Sequence, residues 1–103
     1  MQLTVHRNTS ESRSTYPYLL NVQADAMARL PTCVVVPMAH AKKLPYTRIT
    51  RLMPEVEILG DDFVLVTSEL AGIPRRALGE VVAQLTHRRN DIVAALDLLF
   101  TGA

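Results

Sequence analysis

Tryptophan is absent, and the aromatic share of this chain is only three tyrosines and two phenylalanines. A stacking platform for nucleic-acid bases is therefore poorly supported. Cys33 is the single cysteine. It can form no internal disulfide, and its place in an apolar run points to a buried thiol in a reducing compartment. Glycines are four and isolated, Gly60, Gly72, Gly79 and Gly102, so no glycine-rich phosphate loop exists. Charge of one sign is also lacking: the formal net charge is +1, which gives no chain-wide electrostatic footprint for nucleic acid. No apolar run approaches the ~20 residues of a membrane helix. The opening residues lack the basic and apolar regions of a signal peptide. These absences lead us to expect a soluble cytoplasmic protein. The hydrophobic share of 49% argues against disorder, and 103 residues, without repeat or linker, are expected to form a single domain over 1–103.

The stretch around which the chain is organised is its C-terminus, residues 85–103. Ile92, Leu96 and Leu99 recur at helical spacing, Val93 and Phe100 widen the stripe, and Gly102 follows as a C-terminal glycine. Thr86 is the expected N-cap, and Asp91 suits the positive end of the helix dipole. The chain stops just after its most apolar helical turn. Two readings stand: a helix docked on a sheet, or one that offers its apolar tip to a partner.

Upstream, the pattern is mostly of period two. Residues 2–6, 18–23, 55–59 and 62–67 read as strands, as does 32–38, the most β-branched run, where Pro37 should end the strand, bulge it or mark an edge. Gly60-Asp61 is the hairpin signal between two of these strands. Residues 47–52 and 69–74 read as short extended pieces. Residues 8–15 read as a polar loop, and 25–31 as a connection apolar enough to be partly covered. Residues 76–85 carry Leu78, Val81, Val82 and Leu85 at helical spacing, weakened by Gly79, and read as helical or mixed. Five or six strands before one helix predict a mainly β fold, an antiparallel barrel with a helix on one side.

Little in the sequence promises chemistry. His6, His40 and His87 are too scattered for a metal pair, Cys33 has no activating neighbour, and Asp61-Asp62 suits a turn. The basic pairs Lys42-Lys43, Arg75-Arg76 and Arg88-Arg89, with Arg48 and Arg51, could line one surface and bind phosphate, although solvated faces are the plainer account. From the residues alone the expectation is a small β-rich domain that works by protein contact and associates through its apolar helix tip.

The run from Leu85 through Ile92, then Ala95 to Phe100 and a terminal Gly102-Ala103, resembles the CcdB family of toxins. Met1 to Val5, Glu11 to Arg13, Asn21 to Asp25, Val36 to Ala39, Ala41 to Leu44, Ile73-Pro74 and Gly79-Glu80 match in order along the chain. The resemblance implies an SH3-like barrel of the CcdB/Kid/MazF type with a C-terminal α-helix, a homodimer, no cofactor and no catalysis. It implies a type II toxin–antitoxin module in plasmid maintenance. The toxin binds the DNA gyrase A subunit and traps its cleaved-DNA complex, a topoisomerase poison neutralised by a CcdA-like antitoxin. Operator DNA is bound only through the antitoxin complex. The gyrase-contacting tip of the family ends Trp-Gly-Ile after a helix-terminal Phe. Phe100 and Gly102 match it, whereas Thr101 and Ala103 depart from it. Ala26-Met27 replace a larger apolar pair, and Asp97 stands where the family often has Asn. The alternative reading is a homologue with weak or no gyrase poisoning that remains an antitoxin-binding partner in operon repression. An RNA-cleaving enzyme of the Kid/MazF type is a third, for which no arginine with a neighbouring acid stands out.

Overall fold

Strand β3, Thr32–His40, holds the molecule together because its two edges serve three neighbours. The computed structural model describes residues 1–44 and 48–102. Around β3 run β1 (Thr4–Asn8), β2 (Tyr18–Asn21), β4 (Glu55–Ile58), β5 (Asp61–Leu65), β6 (Ala71–Pro74) and β7 (Leu78–Gln84), followed by helix α1 (Arg89–Thr101). The strand order is β4-β5-β3-β2-β1-β7, every pairing antiparallel, and β6 pairs with the first half of β3. The sheet curls into a half-barrel, as expected for the SH3-like class, with β4 and β7 at the ends of the strand path.

Alternation along the strands sends apolar side chains to both faces. Val5, Leu20, Val36, Met38, Ile58, Phe63 and Leu65 fill the inner face, which Ile92 of α1 closes. Leu19, Cys33 and Val35 form one outer cluster, and Ala39, Met53, Val64 and Val66 another. Burial on both faces is why 32–38 reads as a continuous apolar run rather than an alternating one.

Several expectations are corrected. Pro37 neither ends nor bulges β3, which continues to His40. Its carbonyl accepts from the Val66 N–H at 2.9 Å on the edge where the partner changes from β6 to β5. The N–H it lacks faces that changeover, so no ladder bond is lost. The hairpin turn is Leu59-Gly60, one residue earlier than expected: Ile58 pairs with Asp61, and both turn residues have positive φ, 52° and 87°. Positive φ at both central positions is the two-residue turn whose twist matches the strands. Residues 76–85 are largely strand β7, not helix, because β1 offers an edge to pair with. Residues 48–52 turn rather than extend, with the Leu52 and Met53 N–H groups donating to the Ile49 carbonyl at 3.0 and 2.8 Å. Thr47, the first residue of the extended piece expected over 47–52, lies outside the described residues. Residues 25–31 are exposed throughout rather than covered.

Thr86 does not cap α1. It opens a tight turn, Thr86–Arg88, in which the Arg88 N–H donates to the Leu85 carbonyl at 2.9 Å, and the helix follows without a side-chain cap.

Candidate functional site

Helix α1 divides its side chains as its spacing dictates. Ile92 and Ala95 are buried, Leu96 is half-buried against the inner core, and the last turn runs clear of it. Phe100 is 70% exposed, the largest exposed fraction among the big apolar side chains, and Val93 is 41% exposed. Gly102 ends the helix at φ +75°, its N–H donating to the Leu98 carbonyl at 3.0 Å. A left-handed residue there suits glycine and holds the tip in a defined direction. The Thr101 hydroxyl turns back and donates to the Asp97 carbonyl at 2.7 Å. Ala103 lies outside the described residues. The tip thus presents one phenyl ring, held on a docked helix.

A second apolar surface is the 25–31 connection, with Met27 51% and Leu30 47% exposed. It is fixed through its carbonyls and through the Asp25 carboxylate, which accepts from the Gln2 N–H at 2.7 Å. Arg75 donates to Leu30 at 2.6 Å and Met27 at 3.2 Å, and Gln23 donates to Met27 at 3.1 Å. That is why residues that looked coverable face outward.

The basic residues do not line one surface. Lys42 and Lys43 edge a cleft with His40, Glu55, Asp61 and Asp62. Arg75 is committed to the 25–31 carbonyls, Arg76 sits beside Thr9 and Ser10, and Arg89 donates to the Gln2 side chain at 3.1 Å. Arg48, Arg51 and Arg88 do meet, in a cleft of about 410 Å³ between 48–55 and the start of α1. Arg48 pairs with Glu55 at 2.9 Å and Arg88 with Asp91 at 3.0 Å. An arginine with a neighbouring acid is thus present after all. Arg48 and Glu55 are seven residues apart, with no regular spacing to reveal the pair.

The remaining sequence candidates have structural roles. His6 Nδ1 lies 2.9 Å from the Gly79 carbonyl, and His40 stacks on Phe63 with ring centroids 4.5 Å apart. Among the described residues no group of three or more His, Cys, Asp or Glu side chains could hold a metal. Cys33 is fully buried, and burial pushes its thiol pKa up, with Arg75 opposing more weakly. Such a thiol is a poor nucleophile. In the polar loop, Asn8 anchors the chain by accepting from Ser10 and donating to Ser12 and the Tyr16 carbonyl.

Residues 2–102 match the model of the CcdB protein family. The chain belongs to the CcdB family. Membership makes it a toxin of the toxin–antitoxin class, with the half-barrel and terminal helix already described. Among solved structures it is similar to the Mycobacterium tuberculosis toxin MazF-mt6, at 16% identity and a TM-score of 0.74, over 94% of this chain and 95% of that one. It is also similar to an endoribonuclease from a mycobacterial species in complex with its cognate antitoxin, at 14% identity and a TM-score of 0.75, over 96% and 92% of the two chains. A further mycobacterial endoribonuclease matches at 16% identity and a TM-score of 0.68, over 96% and 88%. At these identities the likeness is one of fold. Among the described residues of this CcdB-family chain, no helix is long and apolar enough to cross a membrane.

Proposed function

We propose that this CcdB-family chain acts by binding rather than by catalysis, as a cytoplasmic homodimer that engages the DNA gyrase A subunit and traps its cleaved-DNA complex. A CcdA-like antitoxin neutralises it, and operator DNA is bound through the toxin–antitoxin complex. The observation that carries the reading is Phe100, 70% exposed on a helix whose other face is buried. A large ring left outside the core has no role in folding and suits insertion into a partner's pocket. Phe100 is the anchor, Gly102 sets its direction, and Thr101 and Ala103 adapt the tip to a smaller pocket.

A second reading is favoured by Thr101, whose hydroxyl donates back to the Asp97 carbonyl at 2.7 Å where the family's tip carries a tryptophan ring. In that reading gyrase poisoning is weak or lost, and the chain serves antitoxin binding and operon repression. Calorimetric titration against the dimerisation fragment of the host's own gyrase A subunit separates the two. Binding at nanomolar to micromolar Kd supports the first reading. No heat at tens of micromolar supports the second. The fold neighbours named as endoribonucleases add one control: incubation with RNA, where specific cleavage lost on substituting Arg48 or Arg88 overturns the non-catalytic reading.

A further inference from the structure

Three guanidiniums, those of Arg48, Arg51 and Arg88, face two carboxylates, those of Glu55 and Asp91, in the cleft beside the start of α1. Two of the three are held in place. Arg88 donates through Nε to Asp91 at 3.0 Å and through Nη1 to the Glu55 carbonyl at 3.1 Å, tying the helix to β4. Arg48 donates through Nη1 to Glu55 at 2.9 Å. A guanidinium has five N–H donors in a rigid fork, so both keep donors to spare. Their side chains are 26% and 30% exposed, enough to be reached and covered enough to be weakly screened. Arg51 and Thr50 also line the cleft, and among the described residues neither has a hydrogen-bonding partner. The cleft thus holds a surplus of donors and of positive charge over acceptors.

We propose that this cleft is a carboxylate-binding site, which takes an aspartate or glutamate side chain from an acidic segment of a partner protein. The ligand's carboxylate sits between Arg51 and the free edges of Arg48 and Arg88, where the planar fork of a guanidinium matches two carboxylate oxygens. Pro54 and Ala94 supply an apolar wall for the methylenes behind that carboxylate. Three observations favour a peptide over a nucleic-acid strand. Among the described residues no aromatic ring lines the cleft to stack a base. The chain carries a formal net charge of only +1. Glu55 and Asp91 flank the site, which a continuous polyanionic backbone would meet with repulsion, whereas one isolated carboxylate fits between them. The site is separate from the Phe100 tip, and the proposal stands whichever protein that tip engages.

The test is a titration of the intact protein with a short peptide carrying one glutamate among neutral residues, followed through the arginine Nε–H resonances, with an oligo-uridine RNA in parallel. The expected result is a saturable shift at Arg48, Arg51 and Arg88 but not at Arg13 or Arg76, weakening with added salt. Arg51→Ala should weaken binding roughly tenfold, the scale of one hydrogen-bonded charge contact. Arg51→Glu should abolish it. Lys42→Glu, an equal change of net charge at a different cleft, should leave it within about twofold. Arg51 is exposed and lacks a partner among the described residues, so its variants should fold as wild type. The proposal is overturned if Arg51→Glu binds the peptide like the wild type, if Lys42→Glu loses as much as Arg51→Glu, or if oligo-uridine shifts the three arginines at lower concentration than the peptide does.

Discussion

Gly79 passes so close to Arg7 that a Cβ at position 79 would stand 2.8 Å from the Arg7 carbonyl oxygen. The same Cβ would lie 2.9 Å from the Thr9 methyl and 3.2 Å from the Arg7 Cβ. Two of these three atoms belong to strand β1 itself, which also takes the Gly79 carbonyl opposite His6 and the Glu80 carboxylate opposite Arg7. Gly79→Ala must therefore push β7 away from β1 where the register already slips. The expected loss is about 1–3 kcal/mol, the usual range for overpacking. Urea unfolding checks it, with the midpoint lowered and the slope unchanged.

Leu59 sits at φ +52° in the β4–β5 turn with 67% of its surface exposed. Leucine tolerates the left-handed region badly, and here burial returns little to offset the strain. Asn-Gly is the preferred pair for a turn with two positive φ values. Leu59→Asn should raise stability by about 0.5–1 kcal/mol, the scale of relieved strain at one turn position. Thermal unfolding reads it directly, and a drop in the midpoint would mean that Leu59 makes a contact the turn needs.

These two positions show where sequence reasoning reached and where it stopped. The mainly β class was legible because strand periodicity depends only on which side chains face the core. β3 announced itself by having both faces buried. Position 79 was misread because Leu78, Val81, Val82 and Leu85 satisfy a helical spacing, and only the neighbouring β1 edge decides for a strand. The Phe100 tip was legible because one helix carries it. The arginine cleft was not, since Arg48, Arg51 and Arg88 come from two distant parts of the chain and only the docking of α1 beside 48–55 joins them. The apolar 25–31 residues misled for a related reason: a long-range bond from Arg75 holds that backbone, so its side chains need no burial.

Cys33 gives a prediction of pH dependence. Its folded thiol pKa is raised by burial. Below the ordinary thiol value of about 8.5, both folded and unfolded chains keep the proton and the contribution is intact. Above it the unfolded chain releases the proton while the folded chain holds it, so stability falls as pH rises until the folded thiol also ionises. Urea unfolding at neutral pH and at roughly pH 9.5 should show this fall in the wild type and a smaller one in Cys33→Ala. Equal falls would assign the effect to other groups.

Helix α1 separates stability from binding along its own length. Ile92 is 2% exposed in the inner core, so Ile92→Ala removes buried methylenes and should cost about 2–5 kcal/mol. Phe100→Ala removes a ring that is 70% exposed, and the unfolding free energy should change by no more than about 0.5 kcal/mol. If the tip engages gyrase, the same change should weaken that complex by roughly 30- to 1000-fold, the range for losing an aromatic anchor. Thr101→Trp gives the complementary result. It breaks one bond to the Asp97 carbonyl and adds a second ring beside the first. Where the native tip already has a matched receptor, the added ring should change affinity by less than about tenfold. Where the native tip has lost its receptor contact, the tryptophan should create binding that was absent. Calorimetry on the two variants, beside their unfolding curves, therefore distinguishes an adapted poison from a retained scaffold, and a Phe100→Ala variant that binds gyrase like the wild type would remove the tip from the function altogether.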